Sequence, residues 1–209
     1  MDEGQVLQIL QDVGAFRAGH FVFTSGLHAS TYINKDAIYP HVKQVSALSL
    51  EMAKRFEKEN IDAVVGPAVG AVILSTWAAH HLTELTGREI WGVYADKDGS
   101  GGFVIRRGYD KLISGKRILV VEDLTTTGGS IKKVVEAARG VGAEVAGVVA
   151  ICNRGDVTAE QIGNPPRFES LVTVGLSQWP EEKCELCERN IPVNTDVGHG
   201  ADFVKTRQN

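Results

Sequence analysis

Three short apolar runs, residues 61–65 (IDAVV), 117–121 (RILVV) and 145–152 (VAGVVAIC), show no regular alternation of apolar and polar residues. A strand wet on one face must alternate, so runs of this kind belong inside a sheet covered on both faces. Between them lie stretches of helical character. Residues 69–85 are apolar nearly all round, and Ile131, Val134, Val135, Ala138 and Val141 recur at the three-to-four spacing of a buried helix face. Strands joined by helical segments of a dozen or more residues pair in parallel. The expected fold is therefore α/β, with a mainly parallel central sheet flanked by helices.

The remaining periodicities fit around that sheet. Val6, Ile9, Leu10 and Val13 mark an opening amphipathic helix that stops at Gly14, and Val42, Val45, Leu48, Met52 and Phe56 mark a second after Pro40. Residues 21–23 and 31–33 read as short strands around a Ser25-Gly26 turn, and residues 89–94, 103–107 and 171–174 as further strands. At 209 residues, one domain accounts for the chain. We divide it into an N-terminal segment (1–36), a core (37–155) and a C-terminal extension (156–209) whose pattern is weak.

Composition narrows the ligand. Twenty-two basic against 26 acidic side chains leave a net charge of −4, which gives no general field for nucleic acid. The acidic start and the lack of any apolar run near the ~20 residues of a membrane span predict a soluble, cytoplasmic protein. The three cysteines, an odd number, suit a reducing compartment. A small charged metabolite is the expected partner, with no nucleic acid and no membrane.

The segment ILVVEDLTTTGGS (118–130) carries the most chemistry. A buried strand ending in Glu122 and Asp123 puts two carboxylates at the carboxyl edge of a parallel sheet, where open α/β folds bind ligands. Thr125, Thr126, Thr127, Gly128, Gly129 and Ser130 then lead into a helix, offering hydroxyls and unpaired N–H groups to an anion. The loop is neither a Walker A loop, because Gly115-Lys116 is followed by Arg117, nor a dinucleotide fingerprint, because Gly140-Val141-Gly142 follows a helix. Carboxylates repel phosphate oxygens but accept hydrogen bonds from a diol, so the pair and the loop together fit a ribose 5-phosphate. A second glycine-bearing turn, Pro67, Ala68, Val69 and Gly70, follows IDAVV at the same sheet edge.

VVEDLTTTGGS resembles the donor-binding signature of type I phosphoribosyltransferases, most closely their orotate branch, and the similarity runs from about residue 21 to 154. The resemblance implies several roles. The donor is 5-phosphoribosyl 1-pyrophosphate (PRPP), with Glu122 and Asp123 on the ribose hydroxyls and Thr126 to Ser130 around the 5-phosphate. The turn at Pro67 to Gly70 holds pyrophosphate, with a strained peptide bond near Ala68-Val69, and magnesium accompanies the donor. Asp123 is a candidate for stabilising charge. Lys97 and a basic hairpin bearing Arg106 and Arg107 serve the leaving group, in a loop shorter than the family's and without its histidine. The family shares that loop between subunits, which implies a homodimer. Residues 21–36 resemble the hood over the base, with Ser25 of its turn a base-binding candidate; Thr24 stands where a lysine contacting the base carboxylate is usual, and nearby Lys35 is the candidate to bind the base in its place. Arg154, together with Thr126, matches base-binding positions, which makes orotate the expected acceptor. Another base, or a PRPP sensor without catalysis, remains as the alternative.

Outside that similarity, Cys184 and Cys187 form a C-x-x-C pair, half of a four-ligand zinc site. Cys152, His199 and His20, or the same pair from a second subunit, are the candidates for completing it. An inert tail or a redox pair are the other readings.

Overall fold

The computed structural model describes residues 1–23, 25–175 and 177–208, the side chain of Gln208 excepted. Thr24, the position where the resemblance substitutes a lysine, therefore lies outside the described residues.

The chain opens with α1 (Glu3–Asp12), whose N-terminus is closed by a capping box between Asp2 and Gln5. A hairpin of β1 (Phe16–Val22) and β2 (His28–Ile33) precedes α2 (Val42–Phe56). The alternating core then runs β3 (Ala63–Pro67), α3 (Ala71–Thr86), β4 (Trp91–Lys97), β5 (Phe103–Val104), α4 (Tyr109–Ile113), β6 (Arg117–Thr125), α5 (Gly129–Gly140), β7 (Glu144–Asn153) and β8 (Phe168–Thr173). The extension adds β9 (Gln178–Trp179), α6 (Glu185–Glu188) and α7 (Gly200–Gln208).

The central sheet has the order β5-β4-β3-β6-β7-β8, parallel throughout except for the edge strand β5. Its burial explains the unalternating runs. Val64, Leu119, Val121, Val149 and Ile151 pack with residues of α1, α2 and α3 on one face. Ala63, Val65, Ile118, Val120 and Val148 pack with residues of α4 and α5 on the other. β3, β6 and β7 bury both of their faces, so polar residues are confined to the ends of these strands.

Strand order fixes where a ligand can sit. From β3 the chain moves through α3 to β4 on one side, then crosses to β6 on the other side and continues outward to β7 and β8. The winding sense reverses between β3 and β6, and the crevice at such a reversal is the usual ligand site of an open α/β sheet. The two glycine-bearing turns follow these two strands.

A second, three-stranded sheet of order β1-β2-β9 forms the hood. Its third strand comes from the extension, with Trp179 opposite His28 and Gln178 opposite Ala29. Among the differences from the sequence expectation, three have a plain local cause. β1 begins at Phe16 rather than at residue 21, because Arg17 to Gly19 are exposed and give no hydropathy signal. β5 stops at Val104 rather than at Arg107, whose φ of 67° lies in the left-handed region and cannot continue a strand. The polar tail contains α7, a helix without an apolar stripe strong enough to announce it. No described helix is long and apolar enough to cross a membrane.

Candidate active site

β6 carries Glu122 and Asp123 to the carboxyl edge of the sheet, and the chain then turns through Thr126, Thr127 and Gly128 into α5. Gly128 makes this turn possible. Its φ of 76° is left-handed, and an added Cβ would stand 2.6 Å from Ile162 Cγ2 and 3.0 Å from Val157 Cγ1. The bond from Lys132 N–H to Gly128 C=O (2.9 Å) closes the first helical turn. The N–H groups before Lys132 have no carbonyl one turn back to meet, and they line a small cavity with the Thr126, Thr127 and Ser130 side chains. Thr125 is oriented differently: it is buried, and its hydroxyl donates to Asn153 Oδ1 (3.0 Å).

The two carboxylates separate. Glu122, 6% exposed, lines both this cavity and a larger neighbouring cleft of about 350 Å³. Burial, and after it the adjacent Asp123 charge, push its carboxyl up to about 8. Asp123, 2% exposed, is turned beneath the Gly70 turn. Its Oδ2 accepts hydrogen bonds from the Tyr39 hydroxyl (2.5 Å) and from Lys35 Nζ (3.2 Å), while Oδ1 is buried without a partner among the described residues. Burial, then Asp123, raise the Tyr39 hydroxyl pKa strongly and keep it a donor. For Lys35 burial acts downward, but attraction to Asp123 outweighs it and the pKa rises.

The larger cleft is lined by Lys35, Asp36, Pro67, Ala68, Val69, Gly70, Lys97, Phe103, Glu122 and Ser130, so the second turn faces it with two ammonium groups. The Ala68–Val69 peptide bond is cis, at the place the resemblance implies. Gly70 admits Asp123 closely: a Cβ there would lie 2.8 Å from Asp123 Oδ2 and 3.0 Å from the Tyr39 hydroxyl. Lys35 accordingly stands with the Pro67–Gly70 turn and Asp123.

Lys97 ends β4 and is exposed at the cleft. The hairpin tip after it is organised by Asp98, whose Oδ1 accepts from the N–H groups of Ser100 and Gly102 (2.8 and 2.9 Å); these bonds hold its carboxyl below the usual carboxylate range. Lys133, on the first turn of α5, donates to Gly101 C=O (2.5 Å) and lines the space between tip and phosphate turn. Arg106 and Arg107 stand apart from these cavities. Both pair with Asp96 Oδ2 (3.5 and 2.9 Å), and Arg107 also lies over the Tyr94 ring. Arg154, at the end of β7, is half-buried under the hood, its guanidinium 4.6 Å from the Phe23 ring centre and its N–H bonded to Thr125 C=O (2.9 Å). Burial lowers its pKa without threatening its charge. Ser25 is exposed at the hood turn, its Oγ accepting from Leu27 N–H (3.4 Å).

Tyr39 and Lys133 escaped the sequence reading. Lys133 lies three residues beyond Ser130, a spacing that places both on one helix face and gives a usable signal; Tyr39 meets Asp123 only through the tertiary fold. The cysteine expectation needs correction. Cys184 and Cys187 lie against His20 and His28. Cys152 is buried in the core cluster of the central sheet, and His199 is half exposed and faces Asp202 (3.8 Å), so neither joins the pair.

A switch-point crevice with a glycine-bearing turn on either side and a buried carboxyl group between them defines a class: an α/β protein with its ligand site at the carboxyl edge of a parallel sheet. The comparison with known proteins is specific. The phosphoribosyl transferase domain family matches residues 35–178. An orotate phosphoribosyltransferase of Caldanaerobacter subterraneus is 35% identical over 92% of this chain and 96% of its own. One of Thermus thermophilus is 36% identical over 90% and 97%. Among solved structures, orotate phosphoribosyltransferase of Mycobacterium tuberculosis superposes with a TM-score of 0.67 at 25% identity, over 83% of this chain and 97% of its own. The chain belongs to the type I phosphoribosyltransferase family, in its orotate phosphoribosyltransferase branch.

Proposed function

We propose that this protein transfers ribose 5-phosphate from PRPP to orotate, forming orotidine 5'-phosphate and pyrophosphate. The observation that carries the reading is the position of Glu122 and Ser130, which line both the phosphate turn and the larger cleft. A sugar bearing phosphate at one end and pyrophosphate at the other spans those two spaces with its hydroxyls on the carboxylate between.

In this assignment Thr126, Thr127, Gly128, Gly129 and Ser130 hold the 5-phosphate, and Glu122 accepts from the ribose hydroxyls. Asp123 supports the second turn through Gly70 and is drawn to the ribose when Lys35 turns to the pyrophosphate. Pro67 to Gly70, Lys35 and Lys97 receive the pyrophosphate. A base nitrogen forms the new bond to the anomeric carbon as the bond to pyrophosphate oxygen breaks, through an oxocarbenium-like transition state. The cleft would suit a hydrated magnesium ion carried in by the pyrophosphate: Asp36 would offer it a hard carboxylate oxygen, Glu122 would do so once the ion's charge draws off its proton, and that charge would offset the charge of the leaving group. Arg154 under Phe23 offers a planar cation to the orotate carboxylate or a carbonyl edge, with Ser25 and Thr126 flanking. Arg106 and Arg107, held by Asp96 here, reach the leaving group only if the hairpin rearranges on binding. The protein acts as a homodimer in the cytoplasm.

A spectrophotometric assay of orotate, uracil, adenine, hypoxanthine and xanthine, each with PRPP and magnesium, tests the acceptor. Consumption of orotate alone is expected; consumption of another base with orotate untouched would reassign it.

A further inference from the structure

The C-terminal extension has little apolar material of its own, yet the residues around Cys184 are closely fitted to the hood. Asn194 N–H donates to His20 C=O (2.7 Å), and His199 N–H to Val22 C=O (2.9 Å). Beneath this strap four side chains from three separate segments converge: His20 of β1, His28 of β2, Cys184 and Cys187. Their ligand atoms all lie within 4.8 Å of one another. His20, His28 and Cys184 are buried, at 2%, 0% and 0% exposure.

From this geometry we infer a structural zinc site, Cys2His2, that clips the extension to the hood. Zn–S bonds of about 2.3 Å and Zn–N bonds of about 2.0–2.1 Å set tetrahedral edges of roughly 3.5 Å between sulfur and nitrogen. The observed separations are 3.5 Å from Cys184 Sγ and 3.8 Å from Cys187 Sγ to His20 Nε2, and 3.4 Å from Cys187 Sγ to His28 Nδ1. The two nitrogens stand 2.8 Å apart and need open by only about 0.5 Å to reach the corresponding edge.

The hydrogen bonds outside the cluster select the same atoms. His20 Nδ1 lies 2.7 Å from Ile191 C=O, which can only accept, so Nδ1 carries the proton and Nε2 presents its lone pair inward. A carbonyl behind a histidine is the usual support of a metal ligand. Without an ion, His28 Nδ1 must donate to that lone pair, and the bare His28 Nε2 is then a buried acceptor with no partner among the described residues. With an ion at Nδ1 the proton moves to Nε2, and the His28 ring stands T-shaped to Phe203 (centroids 4.9 Å, 84°), a geometry in which an N–H can meet an aromatic face. Two thiolates and two imidazoles in a closed tetrahedral set favour zinc, as a structural and not a catalytic ion. The site owes nothing to the donor cleft, and its failure leaves the transferase assignment standing.

Elemental analysis of the intact protein, purified without a histidine tag, tests this. About one zinc per chain is expected, retained on dialysis against a weak chelator and lost in Cys184→Ser, Cys187→Ser and His28→Gln, but kept in Cys152→Ser and His199→Ala. Should those three variants fail to fold, replacement of the wild-type metal by cobalt decides: a thiolate-to-cobalt charge-transfer band with intense tetrahedral visible bands supports the site. Metal-free wild type that shows no such bands with cobalt overturns it, as does an intact mass two daltons light from a Cys184–Cys187 disulfide.

Discussion

Replacing Glu122 by Gln keeps the shape of the side chain and removes its proton equilibrium. The Glu122 carboxyl lies at about 8 in the folded protein against 4.5 ordinarily, because burial and then Asp123 disfavour its charge. Between those pH values the unfolded chain has released a proton that the folded chain still holds. Folding stability therefore falls as pH rises from about 4.5 to about 8, and it is flat in this residue's contribution outside that window. A difference of about 3.5 units at ~1.4 kcal/mol per unit sets a ceiling of about 5 kcal/mol. Reorientation of Lys35, which is partly exposed, brings the expectation down to about 2–4 kcal/mol. Urea unfolding of both proteins across the range measures the effect, with the difference between them isolating Glu122 from every other titrating group. The variant should gain about that much on wild type between pH 5 and pH 8.5 while losing transferase activity. Stability curves that run parallel through the window would refute the account of a buried, proton-holding carboxylate.

Other substitutions probe separate parts of the site. Tyr39→Phe removes one of the two hydrogen bonds to buried Asp123 and should cost roughly 1.5–3 kcal/mol in chemical denaturation, as loss of a charged hydrogen bond does. Gly128→Ala places a Cβ against Ile162 and Val157 at a left-handed φ; it should destabilise by about 1–3 kcal/mol and raise the KM for PRPP more than that for the base. Arg154→Ala should raise the orotate KM roughly tenfold to a hundredfold and leave PRPP affinity, read by calorimetry, nearly unchanged.

What could be read from the sequence follows from how locally each feature is encoded. The parallel sheet showed because two-sided burial of β3, β6 and β7 forbids polar residues, and that constraint is written strand by strand. The phosphate turn showed because its hydroxyls, its glycines and the helix behind it are consecutive in the chain. Of the hood only the two N-terminal strands showed, since the third, β9, pairs with β2 from about 150 residues away. The cysteine cluster was half legible for the same reason. C-x-x-C is a local pattern, but His20 is 164 residues before Cys184 and His28 is 159 before Cys187, and a histidine in a short strand looks alike whether it packs, bonds or ligates. Arg106 and Arg107 read as free cations because nothing in a sequence says that Asp96, on the paired strand, holds both.

A crystal structure of this protein with PRPP and magnesium bound tests the central claim most directly. The 5-phosphate should lie in the turn from Thr126 to Ser130, the pyrophosphate against Pro67 to Gly70 and Lys97, and the ribose hydroxyls on Glu122. Donor bound elsewhere on the molecule, or lying in the crevice with its two ends reversed, would contradict it.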